Sequence, residues 1–150
     1  MSRGETVAVV LAATAGLGGA VQVAVMGELG DRVGVLPAIA LSVIVSFVLG
    51  IVVLYAAGSS LWGVRDALRE PLWLWTGGAI SLFIILAITV AGPRVGVAAT
   101  LAVVIAGNLV MSAVVDQFGL FGLEKIAIGW PRALGIALLA AGVGLSLPRR

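Results

Sequence analysis

The stretch VGVLPAIALSVIVSFVLGIVVLYA, residues 33–56, decides the fold, because it carries no charged side chain over its whole length. A membrane-spanning helix needs about 20 mostly apolar residues at a rise of ~1.5 Å each, and this stretch is long enough. Four other runs are also long and mostly apolar. The sequence therefore predicts an all-α integral membrane protein with five transmembrane helices, over residues 6–28, 33–56, 72–91, 95–116 and 131–147.

The composition supports a membrane protein made of one transmembrane domain, residues 1–150. Hydrophobic residues make up 61% of the chain and charged residues 11%, against about 45–50% and about 25% in soluble domains. A soluble protein of this length could not bury so much apolar surface, so the lipid bilayer is its expected partner. A net charge of +2 is too small for a nucleic-acid partner.

The residue types that are missing exclude several chemistries. The chain has neither cysteine nor histidine, so disulfides, thiol nucleophiles and histidine acid–base catalysis are absent. Its serines have no neighbouring base, and its carboxylates lie at different predicted depths. We therefore expect no enzyme activity, no cofactor, no metal site and no catalytic residue.

Two of the four connections between the spans are short, and two are longer than a turn. Pro93 is predicted to lie in the tight connection between the third and fourth spans. Residues 57–71 mix charged and aromatic side chains and are expected to lie along the lipid headgroups. Residues 117–130 are apolar but too short to span, so this segment is expected to be either interfacial or re-entrant.

The positive charges give almost no preference for one orientation. With five spans, five basic residues fall on one side of the membrane and four on the other. The first side has Arg3, Arg65, Arg69, Lys125 and Arg132, and the second has Arg32, Arg94, Arg149 and Arg150. Such balance is typical of a chain that inserts in both orientations and pairs with a second copy of itself. The alternative is a single orientation set weakly by Arg65 and Arg69.

Polar side chains inside the apolar runs are the candidates for a substrate site. An amide in hydrocarbon is costly unless it has a partner, so Gln22 and Asn108 are either interhelical hydrogen-bonding groups or the lining of a polar cavity. Asn108, Ser112 and Asp116 are spaced i, i+4 and i+8, which puts them on one helix face, and Thr100 extends the same line. The candidate substrate-binding residues are Gln22, Ser46, Asn108 and Ser112.

Charged residues at the span ends are the candidates for coupling transport to an ion. These are Asp116, Glu28 and Arg132. The alternative interpretation is an ordinary ion pair at each helix end, with Asp116 bound to Arg132 and Glu28 to Arg32. Asp116 is continuous with the polar face, which favours it as a proton site.

The last third of the chain resembles the YdcZ family, the five-helix branch of the drug/metabolite transporter superfamily. The matching elements are Gly107-Asn108-Leu109, Ser112, residues 116–122 (DQFGLFG), Arg132, Gly135 and Gly142. Gln22, Gly30, Ser46-Phe47 and Gly50 also fit the family's first two helices. The family usually has Gln in place of Asn108 and His in place of Gln117, and the second departure removes a titratable group.

The resemblance implies a small secondary transporter of the bacterial inner membrane, a multi-pass protein that works by alternating access as an antiparallel, dual-topology homodimer. Its expected substrate is a small polar or cationic metabolite. Two alternatives stay open at this point: a non-transporting accessory or scaffold subunit, and a small multidrug exporter. The second is less favoured, because exporters of cationic drugs use a carboxylate at mid-membrane depth and this chain has none.

Overall fold

A computed structural model describes residues 3–58 and 62–147, and within this part the protein is 88% helical with no strand. The prediction of an all-α integral membrane protein is confirmed. Arg149, Arg150 and the side chain of Trp62 lie outside the described part. The helices are α1 (Arg3–Val33), α2 (Val35–Ala56), α3 (Trp62–Ala67), α4 (Thr76–Val95), α5 (Val97–Phe118) and α6 (Trp130–Ser146), with 3₁₀ turns at Leu72–Trp75 and Leu120–Gly122.

Four helical segments are long and apolar enough to cross a membrane: Arg3–Val33, Val35–Ala56, Leu72–Val95 and Val97–Phe118. No more than 17% of the most apolar window of each is buried inside the protein, as expected of helices whose side chains face lipid. Helix α6 has 17 residues and extends ~25 Å, somewhat less than the ~30 Å hydrocarbon core. The fifth span therefore stays a prediction.

Two connections between helices are a single glycine, which corrects the predicted boundaries. Helix α1 continues to Val33 and α4 to Val95, and Gly34 and Gly96 alone join them to the next helices with φ of 91° at each. Only glycine adopts this conformation without steric cost. The placement of Pro93 in a connection is wrong: it lies inside α4, in the last turn, where the missing N–H removes one helix hydrogen bond near the helix end.

The two glycine turns belong to a repeated motif, GDRVGV at residues 30–35 and GPRVGV at residues 92–97. The hydrogen bonds repeat as well. The N–H of Gly34 donates to Gly30 O at 2.9 Å, and that of Gly96 donates to Gly92 O at 3.0 Å. The helices that follow, α2 and α5, each have 22 residues. The α1–α2 and α4–α5 connections therefore share one turn motif followed by helices of equal length, so a residue of α2 can be matched with the residue of α5 at the same distance from that turn.

The chain divides into two compact units. The unit of residues 25–90, here the α2 unit, has a core of Met26, Ala38 and Ile39, against which Ile85 packs. Gly30 lies beside α4, and a Cβ there would be 2.9 Å from Thr89 Cγ2. Since carbon atoms in contact are about 3.5–4.0 Å apart, only glycine permits this close approach of the two helices.

The second unit, here the α5 unit, contains residues 1–24 and 91–150. Helix α5 packs along α6. Gly92 lies against α1, where an added Cβ would be 3.0 Å from Val23 Cγ1, and Val23 itself is buried. Small residues at helix contacts are how membrane helices gain packing energy in the absence of a hydrophobic effect between them.

Candidate functional site

The main candidate site is a cavity of about 460 Å³ along one face of α5. Its lining residues are Asn108, Met111, Ser112, Val115, Asp116 and Leu123. Three of the four residues in the predicted polar line share this cavity, because the i, i+4, i+8 spacing aligns them on one helix face. In the described chain, Asn108 and Ser112 are exposed and Asp116 is partly buried.

Thr100 is not part of this cavity, although the pattern placed it on the same line. Its side chain is buried, and its hydroxyl donates to the carbonyl oxygen of Gly96 at 2.8 Å. The Thr100 hydroxyl is thus bonded to the backbone at the start of α5, as serine and threonine hydroxyls in helices often are. The polar face of the cavity therefore extends from Asn108 to Asp116.

Asp116 forms an ion pair with Arg132 at the end of the cavity. The two side chains are only 23% and 34% exposed respectively, so water screens the pair less than it screens a surface pair. Arg132 lies in the first turn of α6, where the helix dipole disfavours a cation. The ion pair compensates for this position and connects the end of α5 to the start of α6.

The segment between α5 and α6 folds back onto the end of α5. Gly119 ends the helix in the left-handed conformation, with φ of 61°, a common way for helices to terminate. The N–H of Ile126 then donates to the Asp116 carbonyl oxygen, and the N–H of Ile128 donates to Gln117 Oε1, both at 2.9 Å. Residues 123–129 have no helical structure, and Leu123 of this segment lines the cavity.

A second cavity, of about 380 Å³, lies in the α2 unit between α2 and α4. Its lining residues are Val43, Ser46, Gly78, Ser81, Leu82 and Ile85. Ser46 is thus separate from the cavity that Asn108 and Ser112 share. The Ser81 hydroxyl donates to the Gly77 carbonyl oxygen at 2.9 Å. None of the residues that line this cavity is charged.

Gln22 and Glu28 line neither cavity. Gln22 is exposed on α1. Glu28 pairs with Arg32 at 2.7 Å one helical turn away, with both side chains more than half exposed. A pair as exposed as this contributes about 0–1 kcal/mol to the free energy of unfolding. Its i, i+4 spacing is that of an ordinary ion pair along one helix.

Several residues of these sites were not predicted from the sequence, and three of them have an identifiable role. Ser81 lines the second cavity, Leu123 lines the first, and Gln117 holds the segment that carries Leu123. For Gln117 the sequence contains a signal. A side-chain amide near the end of a helix can accept a hydrogen bond from backbone that folds back to that helix end. Whether Ser81 and Leu123 line a cavity depends on which elements pack together in the fold. The residue pattern of a single helix does not reveal that.

Long apolar helices with polar side chains in cavities define this chain as a polytopic membrane protein. No cluster of potential metal ligands occurs among residues 3–58 and 62–147. A sequence profile described as "Putative inner membrane exporter, YdcZ" matches residues 7–145. The chain belongs to the YdcZ family, which confirms the resemblance, and it is a multi-pass protein of the inner membrane.

The family is one of membrane exporters within the drug/metabolite transporter superfamily, and it is not an enzyme family. The matched region includes every residue that lines the two cavities. No curated protein and no solved structure matches the chain.

Proposed function

We propose that this protein is a small secondary transporter that moves a small polar or cationic metabolite by alternating access, as an antiparallel, dual-topology homodimer with five spans per chain. The observation that carries this proposal is the α5 cavity. An amide, a hydroxyl and a carboxylate face one cavity on a helix that is otherwise suited to lipid. Polar groups in such a place need either a partner or a solute.

The groups of the cavity suit a solute that both donates and accepts hydrogen bonds. The Asn108 amide donates and accepts, the Ser112 hydroxyl does the same, and the Asp116 carboxylate accepts. An ammonium group is the strongest competitor for Asp116, because it can replace Arg132 as the partner of that carboxylate. This favours a cationic or zwitterionic metabolite over an anion.

The Asp116–Arg132 pair offers a physical route to coupling. Protonation of Asp116, or its binding to a solute cation, removes the attraction that holds Arg132. The backbone carbonyl of Asp116 accepts a bond from the Ile126 N–H, which keeps the segment carrying Leu123 next to this ion pair. Glu28 is the weaker coupling candidate, since its pair with Arg32 is exposed and lies in the other unit.

Two observations support the antiparallel pair. The basic residues divide five to four between the two sides of the membrane, so neither orientation is strongly favoured. Gln22 exposes an amide on an apolar helix, and leaving an amide without a partner in hydrocarbon costs on the order of several kcal/mol. A second copy of the chain can supply that partner.

The test is solute counterflow in proteoliposomes against a panel of amines, amino acids and other polar metabolites. We expect flux of at least one cationic or zwitterionic solute, with a loss of tenfold or more in Asn108→Leu. The matched control is Val110→Leu, a change on the same helix at an exposed residue outside the cavity, which should keep its flux. A purified, folded protein that moves no solute of the panel would favour an accessory or scaffold subunit.

A further inference from the structure

The repeated turn motif allows residues of α2 and α5 to be compared by their distance from the start of each helix. Ser46 and Asn108 lie the same number of residues from the start of α2 and of α5. Each of them lines a cavity, of about 380 Å³ for Ser46 and about 460 Å³ for Asn108. The repeat therefore places a polar side chain and a cavity at one equivalent position in both of its copies.

The two cavities differ in the groups that surround this equivalent position. In α5, Ser112 and Asp116 continue the polar face, whereas their counterparts in α2 are Gly50 and Leu54. The α2 cavity is completed instead by α4, which contributes Ser81 together with apolar side chains. Its polar groups are thus two hydroxyls on facing helices.

We propose that the cavity between Ser46 and Ser81 is a binding site for a neutral, largely apolar small molecule with one hydroxyl or amide group. The hydroxyl of Ser81 already donates to Gly77 O and so offers its oxygen as an acceptor, while the hydroxyl of Ser46 can donate or accept. In this proposal one ligand hydroxyl donates to the Ser81 oxygen and accepts from the Ser46 hydroxyl. A charged ligand would have no counter-charge in this cavity, where an unpaired charge is costly.

This site goes beyond the proposed function, because its ligand differs in charge and polarity from the solute proposed for the α5 cavity. Ligand occupancy can be measured without transport. A volume of about 380 Å³ lies at the lower end of the about 300–1,000 Å³ typical of small-molecule pockets, which suits a single ring with short substituents. A lipid acyl chain is the rival occupant, and it has no group that matches the two hydroxyls.

The experiment is photolabelling of the protein in lipid nanodiscs with a benzyl alcohol that carries a trifluoromethyl diazirine on its ring. A matched reagent has a methyl group in place of the hydroxymethyl group. We expect the alcohol to label residues of the α2 cavity at least fivefold more than the methyl reagent does, as mapped by peptide mass spectrometry. Equal labelling by the two reagents, or adducts concentrated on lipid-facing Phe47 and Phe83, would overturn the proposal.

Variants separate the hydroxyl from the cavity volume. Ser46→Leu fills the cavity and should abolish its labelling, whereas Ser46→Ala keeps the volume and should lower labelling by the alcohol to the level of the methyl reagent. Val45→Leu, outside the lining, is the control and should label as the native protein does. Unchanged labelling of Ser46→Ala would refute the hydroxyl contact even if Ser46→Leu fails to fold.

The outcomes for this site and for transport are distinguishable. Selective labelling in a protein that shows no counterflow would support the site and contradict the proposed transporter. Counterflow without selective labelling would support the transporter and contradict the site.

Discussion

Asp116, near the end of α5, and Arg132, in the first turn of α6, form an ion pair in which both side chains are mostly shielded from water. The pair joins two helices, whereas the pairs Glu28–Arg32 and Asp66–Arg69 each connect residues within one turn of each other. Changes to its charge should therefore affect the contact between α5 and α6 as well as the cavity beside it.

The first prediction is that Asp116→Asn uncouples transport from the proton gradient. The substitution keeps the size of the side chain and removes its negative charge, so gradient-driven uptake should fall by tenfold or more while solute exchange persists. Uptake in proteoliposomes with and without an imposed pH gradient measures both quantities. Glu28→Gln is the matched control and should leave both unchanged. If gradient-driven uptake survives in Asp116→Asn, the carboxylate has only a structural role.

The second prediction concerns Gln22. If a second copy of the chain provides the partner of its amide, Gln22→Leu should weaken the dimer and lower the flux together, because α1 loses an interhelical hydrogen bond worth about 0.6–2 kcal/mol. Dimerisation in nanodiscs or detergent, measured by subunit exchange between fluorescently labelled copies, tests this. Val21→Leu, at an exposed residue next to it, is the control. An unchanged dimer with lost flux would instead assign Gln22 to the substrate path.

The third prediction is that the chain is found in both orientations in comparable amounts. The protein has no native cysteine, so a single cysteine at Ser2 or at Arg150 can be labelled with a membrane-impermeant reagent from each side of the membrane. Labelling of one position from one side only would exclude dual topology. Two or three lysines added at one end should shift the ratio and reduce flux if antiparallel pairs are the active form.

The fourth prediction concerns the close contact in the α2 unit. Gly30→Ala should destabilise the protein by about 1–3 kcal/mol, because the new Cβ would lie 2.9 Å from Thr89 Cγ2. Thr89→Ser removes that methyl group and keeps the hydroxyl that donates to Ile85 O, so the double variant should recover most of the lost stability. Thermal unfolding of the purified protein in one detergent measures the series.

Gly16→Ala is the control for this series, since nothing lies within 4 Å of a Cβ at that position. Alanine is the better helix former by about 1 kcal/mol, so this variant should be as stable as the native protein or more stable. A Gly30→Ala protein that matches Gly16→Ala in stability would contradict the close contact.

Hydrophobic length was enough to predict the four long apolar helices and the shorter α6, though not the short α3, and helix periodicity was enough to align Asn108, Ser112 and Asp116. The pairing of Asp116 with Arg132 was one of two sequence-based interpretations, because opposite charges at neighbouring span ends find each other. The single-glycine turns were not predicted, because a helix end set by one backbone angle leaves no hydrophobic signal.

That Ser46 and Asn108 line different cavities, each within its own unit, was likewise beyond prediction. Periodicity defines which residues of a helix share a face, but it does not define which helix that face meets. The identity of the neighbour depends on packing between elements that are distant in the chain, such as the close approach of Gly30 to Thr89.

The turns at Gly34 and Gly96 share one backbone conformation, with φ of 91° at each. A side chain at either position would therefore meet the same backbone strain, so the two single-residue turns tolerate the same, very small set of residues. The polar line from Asn108 to Asp116 has no such partner in α2. The shared turn thus constrains how α2 and α5 begin and leaves their polar side chains free to differ.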